Sequence, residues 1–242
     1  MKKFFISLVF ALAIIISAWI LAGAWTRSHQ QNETIKVTGM SKKDFIADLI
    51  VWRGNFSKKS MTIQDAYASL KKDAALTKDY LVKKGVNAGE IVFSAVNINR
   101  EYRYTGGGEG RGGQVFDGYS LSQNIEIESK EVDKIEKISR EVTELIDLGV
   151  EFYSQYPEYY SSKLADLKIE LLAKATADAR NRAEQIAGNS HAKLGTLRNA
   201  TMGIFQITGQ NSNEEFSWGG AFNTSRKKKS ASITVKLEFG IN

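Results

Sequence analysis

The chain has 242 residues, of which 43% are hydrophobic and 25% charged, a composition typical of a globular protein rather than a disordered or collagen-like one. It contains no cysteine, which excludes a zinc ribbon, a thiol redox pair, a cysteine nucleophile and any disulfide bond. The formal net charge of +6 is modest, so it suits a domain beside an anionic membrane and does not indicate nucleic-acid binding. The length fits one sizeable domain with a core large enough to be stable without disulfides.

The N-terminus has the features of a membrane anchor or an export signal. Lys2 and Lys3 precede an uncharged, apolar run from Phe4 to Trp25. A helix needs about 20 apolar residues to cross a bilayer, so this run is long enough to span one. The positive-inside rule keeps the two lysines in the cytoplasm. We therefore expect a single-pass membrane protein whose domain after Trp25 is exported.

The expected division of the chain is an anchor or signal segment at residues 1–26, a polar tether at 27–33 and one exported domain at 34–242. A retained anchor is favoured, because the apolar run exceeds the usual signal-peptide core of about 7 to 15 residues. Cleavage after Ala22-Gly23-Ala24 stays open, because these small residues match the pattern cut by signal peptidase. A cleaved protein would be periplasmic or secreted.

Strand patterns dominate the first half of the exported part. Apolar alternation or apolar runs predict strands over 35–39, 45–56, 91–104 and 114–128. Between the last two, six of the eight residues 106–113 are glycine, which predicts a mobile tip on a long antiparallel hairpin that projects beyond the core.

One amphipathic helix interrupts these strands. A capping box at Thr62 and Asp65 predicts its start, and Gly85 predicts its end. The residues expected on its apolar face are Ile63, Tyr67, Leu70, Ala74, Thr77 and Leu81.

The second half returns to helical spacing twice. A helix from Val132 is expected to end at Gly149, followed by a short strand over 150–156 that stops at Pro157. A long third helix then begins at Ser161 or Ser162 and is expected to end at Gly188. The residues expected on one side of it are Leu164, Leu167, Leu171, Ala175, Ala179, Ala183 and Ile186. Its small alanines favour close packing against a sheet or another helix.

Two further strands are predicted over 201–207 and 231–239, joined by a long polar connection at 209–230. Connections of this length are usually functional or disordered. The order of elements predicts an α+β fold, a mainly antiparallel sheet with helices packed on one face, preceded by the N-terminal transmembrane or signal helix.

No catalytic, cofactor or metal residue emerges from the sequence. Residues 108–113 match G-x-G-x-x-G, but a strand rather than a helix follows, so a dinucleotide site is not expected. His29 and His191 have no partner at metal-ligand spacing, and Glu141, Glu144 and Asp147 read as a solvated helix face. We expect a protein that is not an enzyme, although a site built from scattered residues stays possible.

Two clusters could contact partners. Tyr153, Tyr156, Tyr159 and Tyr160 could form an interaction surface, because tyrosine is enriched at interfaces, but alternation could equally place half of them in the core. The basic run 226–229 could contact anionic lipid head groups, and a solvated loop is the favoured interpretation.

The third helix carries a resemblance to a known family. Its sequence includes Ala175-Thr176-Ala177-Asp178-Ala179-Arg180 and then Arg182-Ala183, which resembles the alanine-rich signature helix of the SIMPL domain family. Ile35-Lys36-Val37-Thr38-Gly39 resembles the opening strand of that family, and the order of elements agrees over most of 35–239. The resemblance implies an exported α+β protein, with some members linked to oxidative stress and some to ring-like homo-oligomers, and with no agreed catalytic residues.

Two functional hypotheses follow. The first is a non-enzymatic envelope protein that self-associates through the projecting hairpin or the tyrosine cluster, with a role in envelope or oxidative stress. The second is a binding module for a small apolar or anionic ligand, with the 209–230 connection as a lid over a sheet face. The expected partners are a membrane and further copies of the chain; no cofactor and no nucleic acid are expected.

Overall fold

The computed structural model describes the backbone of residues 2–30, 33–105 and 113–241, and the side chains of 11–25, 33–104 and 113–241. The elements in chain order are α1 (Lys2–Gln30), β1 (Thr34–Ile46), β2 (Leu49–Ser60), α2 (Ile63–Lys83), β3 (Ile91–Phe93), β4 (Asn97–Thr105), β5 (Gly113–Ser129), α3 (Val132–Glu141), β6 (Phe152–Ser154), β7 (Glu158–Tyr160), α4 (Leu164–Asn189), β8 (Leu194–Met202), β9 (Gln206–Gly209) and β10 (Lys228–Ile241). The glycine-rich tip expected at 106–113 lies, except for Gly113, outside the described residues.

The fold is α+β with antiparallel strand pairing, as predicted, but its strands form two sheets instead of one. The terminal sheet has the order β1-β10-β8, with β9 also paired to β10, and the central sheet has the order β3-β5-β2-β6, with β4 paired to β5 and β7 to β2. Ala47 and Asp48 alone separate β1 from β2, yet they form no hairpin. The Ala47 amide donates to the Lys227 carbonyl and the Asp48 amide donates to the Tyr160 carbonyl, so the chain crosses from one sheet to the other.

In the terminal sheet, α4 covers one face and leaves the other open. The residues that face the helix from β1 and β10 are Ile35, Val37, Ala231, Ile233, Val235, Leu237 and Phe239. They pack on the stripe Leu167, Leu171, Ala175, Ala179, Ala183 and Ala187. The predicted stripe is confirmed except at Ile186, which is exposed while Ala187 is buried in its place. Gly188 lies inside α4 rather than ending it.

In the central sheet, α2 and α3 pack on one face, as expected for helices on a half-buried sheet. Trp52, Phe56, Ile125 and Ile127 are fully buried in this second core. The predicted start of α2 is confirmed, because the Asp65 amide donates to Thr62 Oγ1 at 3.2 Å. The predicted face of α2 is wrong at one position, since Tyr67 is exposed and Ala66 is buried.

The short strand predicted over 150–156 is confirmed only at 152–154, where β6 lies, and a further strand, β7, follows Pro157, where none was predicted. β6 pairs with residues 54–56 of β2, and β7 pairs with residues 49–51 of the same strand. Pro157 has no amide hydrogen to donate to a sheet, so the ladder is interrupted there and resumes at Glu158.

Among the residues with described side chains, no helix reaches the length and mean hydropathy of a membrane span. The part of the predicted span before residue 11 lies outside those side chains. The backbone of α1 continues to Gln30, into the segment where a tether was expected.

Candidate functional site

The four tyrosines singled out in the sequence do not share one surface. Tyr159 is 7% exposed and packs in the central core, because its position opposite Ile50 turns it toward the helices. Its buried environment raises the pKa of its hydroxyl. Tyr160 is half-buried on the opposite, open face of the sheet, and its hydroxyl donates to Glu158 at 3.2 Å.

The other two tyrosines are exposed. Tyr153 lies opposite Asn55 on the open face of the central sheet and donates its hydroxyl to Glu151. This hydrogen bond raises the pKa of Tyr153. Tyr156 is 96% exposed in the connection before β7. Tyr153 and Tyr156 are therefore available to a partner, whereas Tyr160 is half-buried and its ring centroid lies 6.4 Å from that of Phe222.

The open face of the central sheet carries an ion-pair network beside these tyrosines. The Arg53 guanidinium contacts the carboxylates of Glu126 and Glu158, each at 2.6 Å. Its hydrogen bonds to Glu126 and Glu158 raise the pKa of Arg53. One cation engages two carboxylates, so this group of three side chains keeps a net negative charge.

The basic run 226–229 does not form a solvated cluster. Lys227 pairs with Asp133 and, at 3.1 Å, with Glu136 on α3. Lys229 is only 2% exposed and donates to the Tyr159 carbonyl at 2.7 Å and to the Asn223 carbonyl. Two of the four cations therefore hold the fold together and are not available to lipid head groups.

The connection expected at 209–230 spans 210–227 and is here called the covering loop. It is fixed to the terminal sheet by the buried side chain of Gln206, whose Nε2 donates to the Ser217 carbonyl at 2.8 Å. Gln206 Oε1 accepts from the amides of Ser217, at 3.3 Å, and Ala221, at 2.5 Å. The Ile207 amide donates to the Ala221 carbonyl at 2.7 Å. The loop is thus anchored to β9 at several points.

A groove of about 530 Å³ lies between the covering loop and the open face of the terminal sheet. Met40 and Thr234, which face each other on β1 and β10, contribute to its floor. Phe216 and Trp218 of the loop line its rim, although Phe216 is 64% exposed and Trp218 is 96% exposed. Most of the exposed lining is apolar. Concave, largely apolar sites of this size are typical of small-ligand pockets.

Lys236 gives the groove a positive charge. In the part of the chain that the structure describes, no carboxylate oxygen lies within 4.0 Å of its Nζ. Lys36, on the neighbouring strand of the same face, pairs instead with Glu238 at 3.6 Å. The sequence alone did not indicate Lys236 or Gln206 as residues of a binding site. Alternation along β10 could have placed the Lys236 side chain on the sheet face opposite the core.

The hairpin arm, residues 98–105 and 113–119, is a second exposed apolar feature. Residues 113–118 of β5 extend past the end of β2, where Ser60 pairs with Tyr119. Gly118 adopts a φ of +112° at a bulge, and a Cβ there would lie 2.6 Å from the Ser60 carbonyl oxygen. The bulge keeps Phe116 on the same face as Tyr119, with ring centroids 5.2 Å apart.

Across residues 11–25, 33–104 and 113–241, no three His, Cys, Asp or Glu side chains form a group that could hold a metal ion. The carboxylates of Glu141 and Glu144 both bind Lys84, at 3.0 and 2.8 Å. The expectation that the chain is not an enzyme stays a prediction.

Comparison with known proteins gives one family. No curated protein matches the sequence. The model of the SIMPL family, described as a protein of unknown function (DUF541), matches residues 35–239. This match covers both sheets and their helices from β1 to β10, and it agrees with the signature in α4, so the chain belongs to the SIMPL family.

Proposed function

We propose that the chain is a non-enzymatic, exported envelope protein that self-associates through the hairpin arm. The observation that carries this proposal is the aromatic face of the arm, which continues the buried face of the central sheet into solvent. Tyr102 and Phe116 pair across the two strands with ring centroids 5.9 Å apart. Beyond them Tyr104 is 70% exposed. An apolar face that runs past its covering helix favours burial against another molecule.

The partner that fits this arm best is a second copy of the chain. Within the described residues, β4 pairs with β5 on one edge and with no strand on the other, so backbone groups remain free for pairing. The arm carries both signs of charge, from Arg100 and Arg103 and from Glu101 and Asp117, although both carboxylates also bind Lys59 at 2.7 Å. A surface with both signs can complement itself across a two-fold axis.

Export and membrane attachment are proposed from the N-terminal sequence. Lys2 and Lys3 followed by the apolar run to Trp25 support an anchor with its N-terminus in the cytoplasm. Cleavage after Ala24 and release into the periplasm or medium is the alternative. A role in envelope or oxidative stress is proposed from membership of the family alone. A deletion strain with unchanged sensitivity to peroxide and envelope stress would argue against that role.

The self-association proposal is tested with two double variants of the full-length chain. Tyr102→Lys with Tyr104→Lys places charge on the arm, and we expect a loss of oligomers at high concentration because like charges would meet in the contact. The measurement is size-exclusion chromatography with light scattering, with the detergent contribution to the mass separated. Tyr102 and Tyr104 are 53% and 70% exposed, so folding should be retained.

Tyr153→Lys with Tyr156→Lys is the matched control, because it adds the same charge on exposed tyrosines elsewhere. If this control dissociates the oligomer and the arm variant does not, the tyrosine cluster is the contact surface. A wild-type chain that stays monomeric at high concentration would overturn self-association altogether.

A second candidate function is the binding of a small ligand beneath the covering loop. The groove over the terminal sheet favours it, because it combines a ligand-sized volume with two exposed aromatic side chains held on a fixed backbone. Native mass spectrometry of freshly purified protein tests this function, and an apo mass without any bound small molecule would count against it.

A further inference from the structure

We infer that the groove beneath the covering loop binds a small aromatic monoanion, with its ring system between the sheet and the aromatic rim and its negative group at Lys236. This inference rests on the second candidate function and adds the chemical class of the ligand. Four features of the groove support it: its fixed loop, its apolar lining, its unpaired cation and its size.

The covering loop is organised before any ligand arrives. Three hydrogen bonds from one buried side chain, Gln206, hold the backbone of Ser217 and Ala221 on either side of Trp218. Glu214 adds a bond from the Gly209 amide at 2.9 Å. Because the backbone is already ordered, ligand binding would not carry the entropic cost of fixing the loop.

The aromatic rim of the groove favours a ligand with an apolar, planar ring system. Phe216 and Trp218 expose their rings although the backbone beneath them is fixed, so their apolar area is not used in the core. Ile204 and Met40 extend this surface to the sheet. Aromatic rings stack favourably on tryptophan and phenylalanine, and each such pair adds stabilisation beyond the buried area.

Lys236 selects a negative group. Among the described lining residues it is the one charged side chain, and no carboxylate in the described chain neutralises it. A carboxylate on the ligand would form a charge-assisted hydrogen bond with its Nζ. The hydroxyl of Thr234, two residues away on the same strand face, offers a further donor.

The dimensions of the groove limit the ligand to a small molecule. A volume of about 530 Å³ falls within the range of small-ligand pockets, so a two-ring aromatic acid has room without displacing the loop. The open side of the groove lets such a ligand enter from solvent.

The test uses full-length protein in lipid nanodiscs and isothermal titration calorimetry, with the heat from empty nanodiscs subtracted. The probe is 2-naphthoate, and 2-naphthamide serves as a neutral probe of the same shape. We expect wild-type protein to bind the anion about tenfold more tightly than the amide, as a charge-assisted hydrogen bond predicts.

Two variants and one matched control locate the binding. Lys236→Gln should weaken naphthoate about tenfold and leave naphthamide unchanged, whereas Trp218→Ala should weaken both probes. Lys36→Gln removes the same charge from the same sheet face but from a paired lysine, so it should change neither. Both substituted positions of the groove lie on the surface, and unchanged thermal unfolding confirms that the variants are folded.

Each outcome decides the inference. Equal affinity for the two probes, or an equal effect of Lys36→Gln and Lys236→Gln, would overturn the anionic class. Absence of binding by both probes would overturn the inference, while a small molecule that copurifies in native mass spectrometry would still support the second candidate function.

Discussion

Lys229 is a cation that the fold holds out of water at the junction of the two sheets. It lies on β10 opposite Phe45 of β1, while its Nζ reaches the carbonyl of Tyr159 on β7. Carbonyl oxygens stabilise the ammonium without neutralising it. Burial therefore lowers the pKa of Lys229 from 10.5 to about 8.

This lowered pKa predicts a rise in stability with pH. Between about pH 8 and pH 10.5 the unfolded chain carries a proton on Lys229 that the folded chain has released. The free energy of unfolding therefore increases with pH in this window, and the destabilising effect is fully present below pH 8. From pH 7 to pH 9.5 we expect a gain of about 2 kcal/mol from this residue, measured by urea denaturation.

Lys229→Met should abolish that rise, whatever its effect on the absolute stability at pH 7. Lys228→Met is the matched control, because the neighbouring lysine is exposed on the same strand and should leave the rise unchanged. The same pH dependence in Lys229→Met and in wild type would show that other groups cause it.

At the scale of elements, the close approach of α4 to β1 depends on small residues on both sides. A Cβ at Gly39 would lie 2.2 Å from the Ala175 carbonyl oxygen and 2.4 Å from the Ala179 amide nitrogen. These are backbone atoms, so α4 as a whole would have to move to make room.

Gly39→Ala should therefore lower the free energy of unfolding by about 1 to 3 kcal/mol, the usual cost of overpacking a core. Gly188→Ala is the control on the same helix, where a Cβ meets nothing within 4 Å. It should leave stability unchanged or raise it by about 0.5 to 1 kcal/mol, because alanine is the better helix former. Equal effects of the two substitutions, in chemical denaturation, would contradict the proposed close packing.

Periodicity predicted the elements well where one face of an element is buried. The alanine stripe of α4 and the alternation of β10 are confirmed, because a buried face restricts which positions tolerate polar residues. The division into two sheets could not be predicted, since it depends on which strands pair. The chain passes from one sheet to the other at Ala47 and Asp48, whose amides donate to carbonyls more than a hundred positions away in the sequence.

The candidate sites were predicted less completely. The sequence drew attention to the covering loop and to the tyrosines, but alternation could not tell that Tyr159 faces the core while Tyr160 faces the open side. Phe216 and Trp218 could be noticed as aromatics in a polar segment. Gln206 and Lys236 lie at the same groove as these two aromatic residues only because separate elements pack together in the folded chain. Local sequence patterns do not predict such tertiary contacts.

At the scale of the whole molecule, several contacts join the two cores in addition to the chain itself. The Tyr159 amide donates to the Thr224 carbonyl at 2.7 Å, and Lys227 of the covering loop reaches Glu136 on α3. Asp48, between the two sheets, accepts from the Ser162 amide at 2.7 Å and from the Ser162 hydroxyl at 2.6 Å. Separating the sheets would break all of these bonds, so we expect them to unfold together.

Substitution of Asp48 tests this coupling. Asp48→Ala removes both bonds to Ser162 at the entry to α4, and we expect a loss of about 1 to 3 kcal/mol of stability. Asp147→Ala, at an exposed position of similar chemistry, should change stability little and serves as the control. Native-state hydrogen exchange with mass spectrometry should show the same loss of protection in peptides from β2 and from β10, because cooperative elements open as one unit. A loss confined to α4 and β10 would instead show that the terminal sheet opens while the central sheet stays folded.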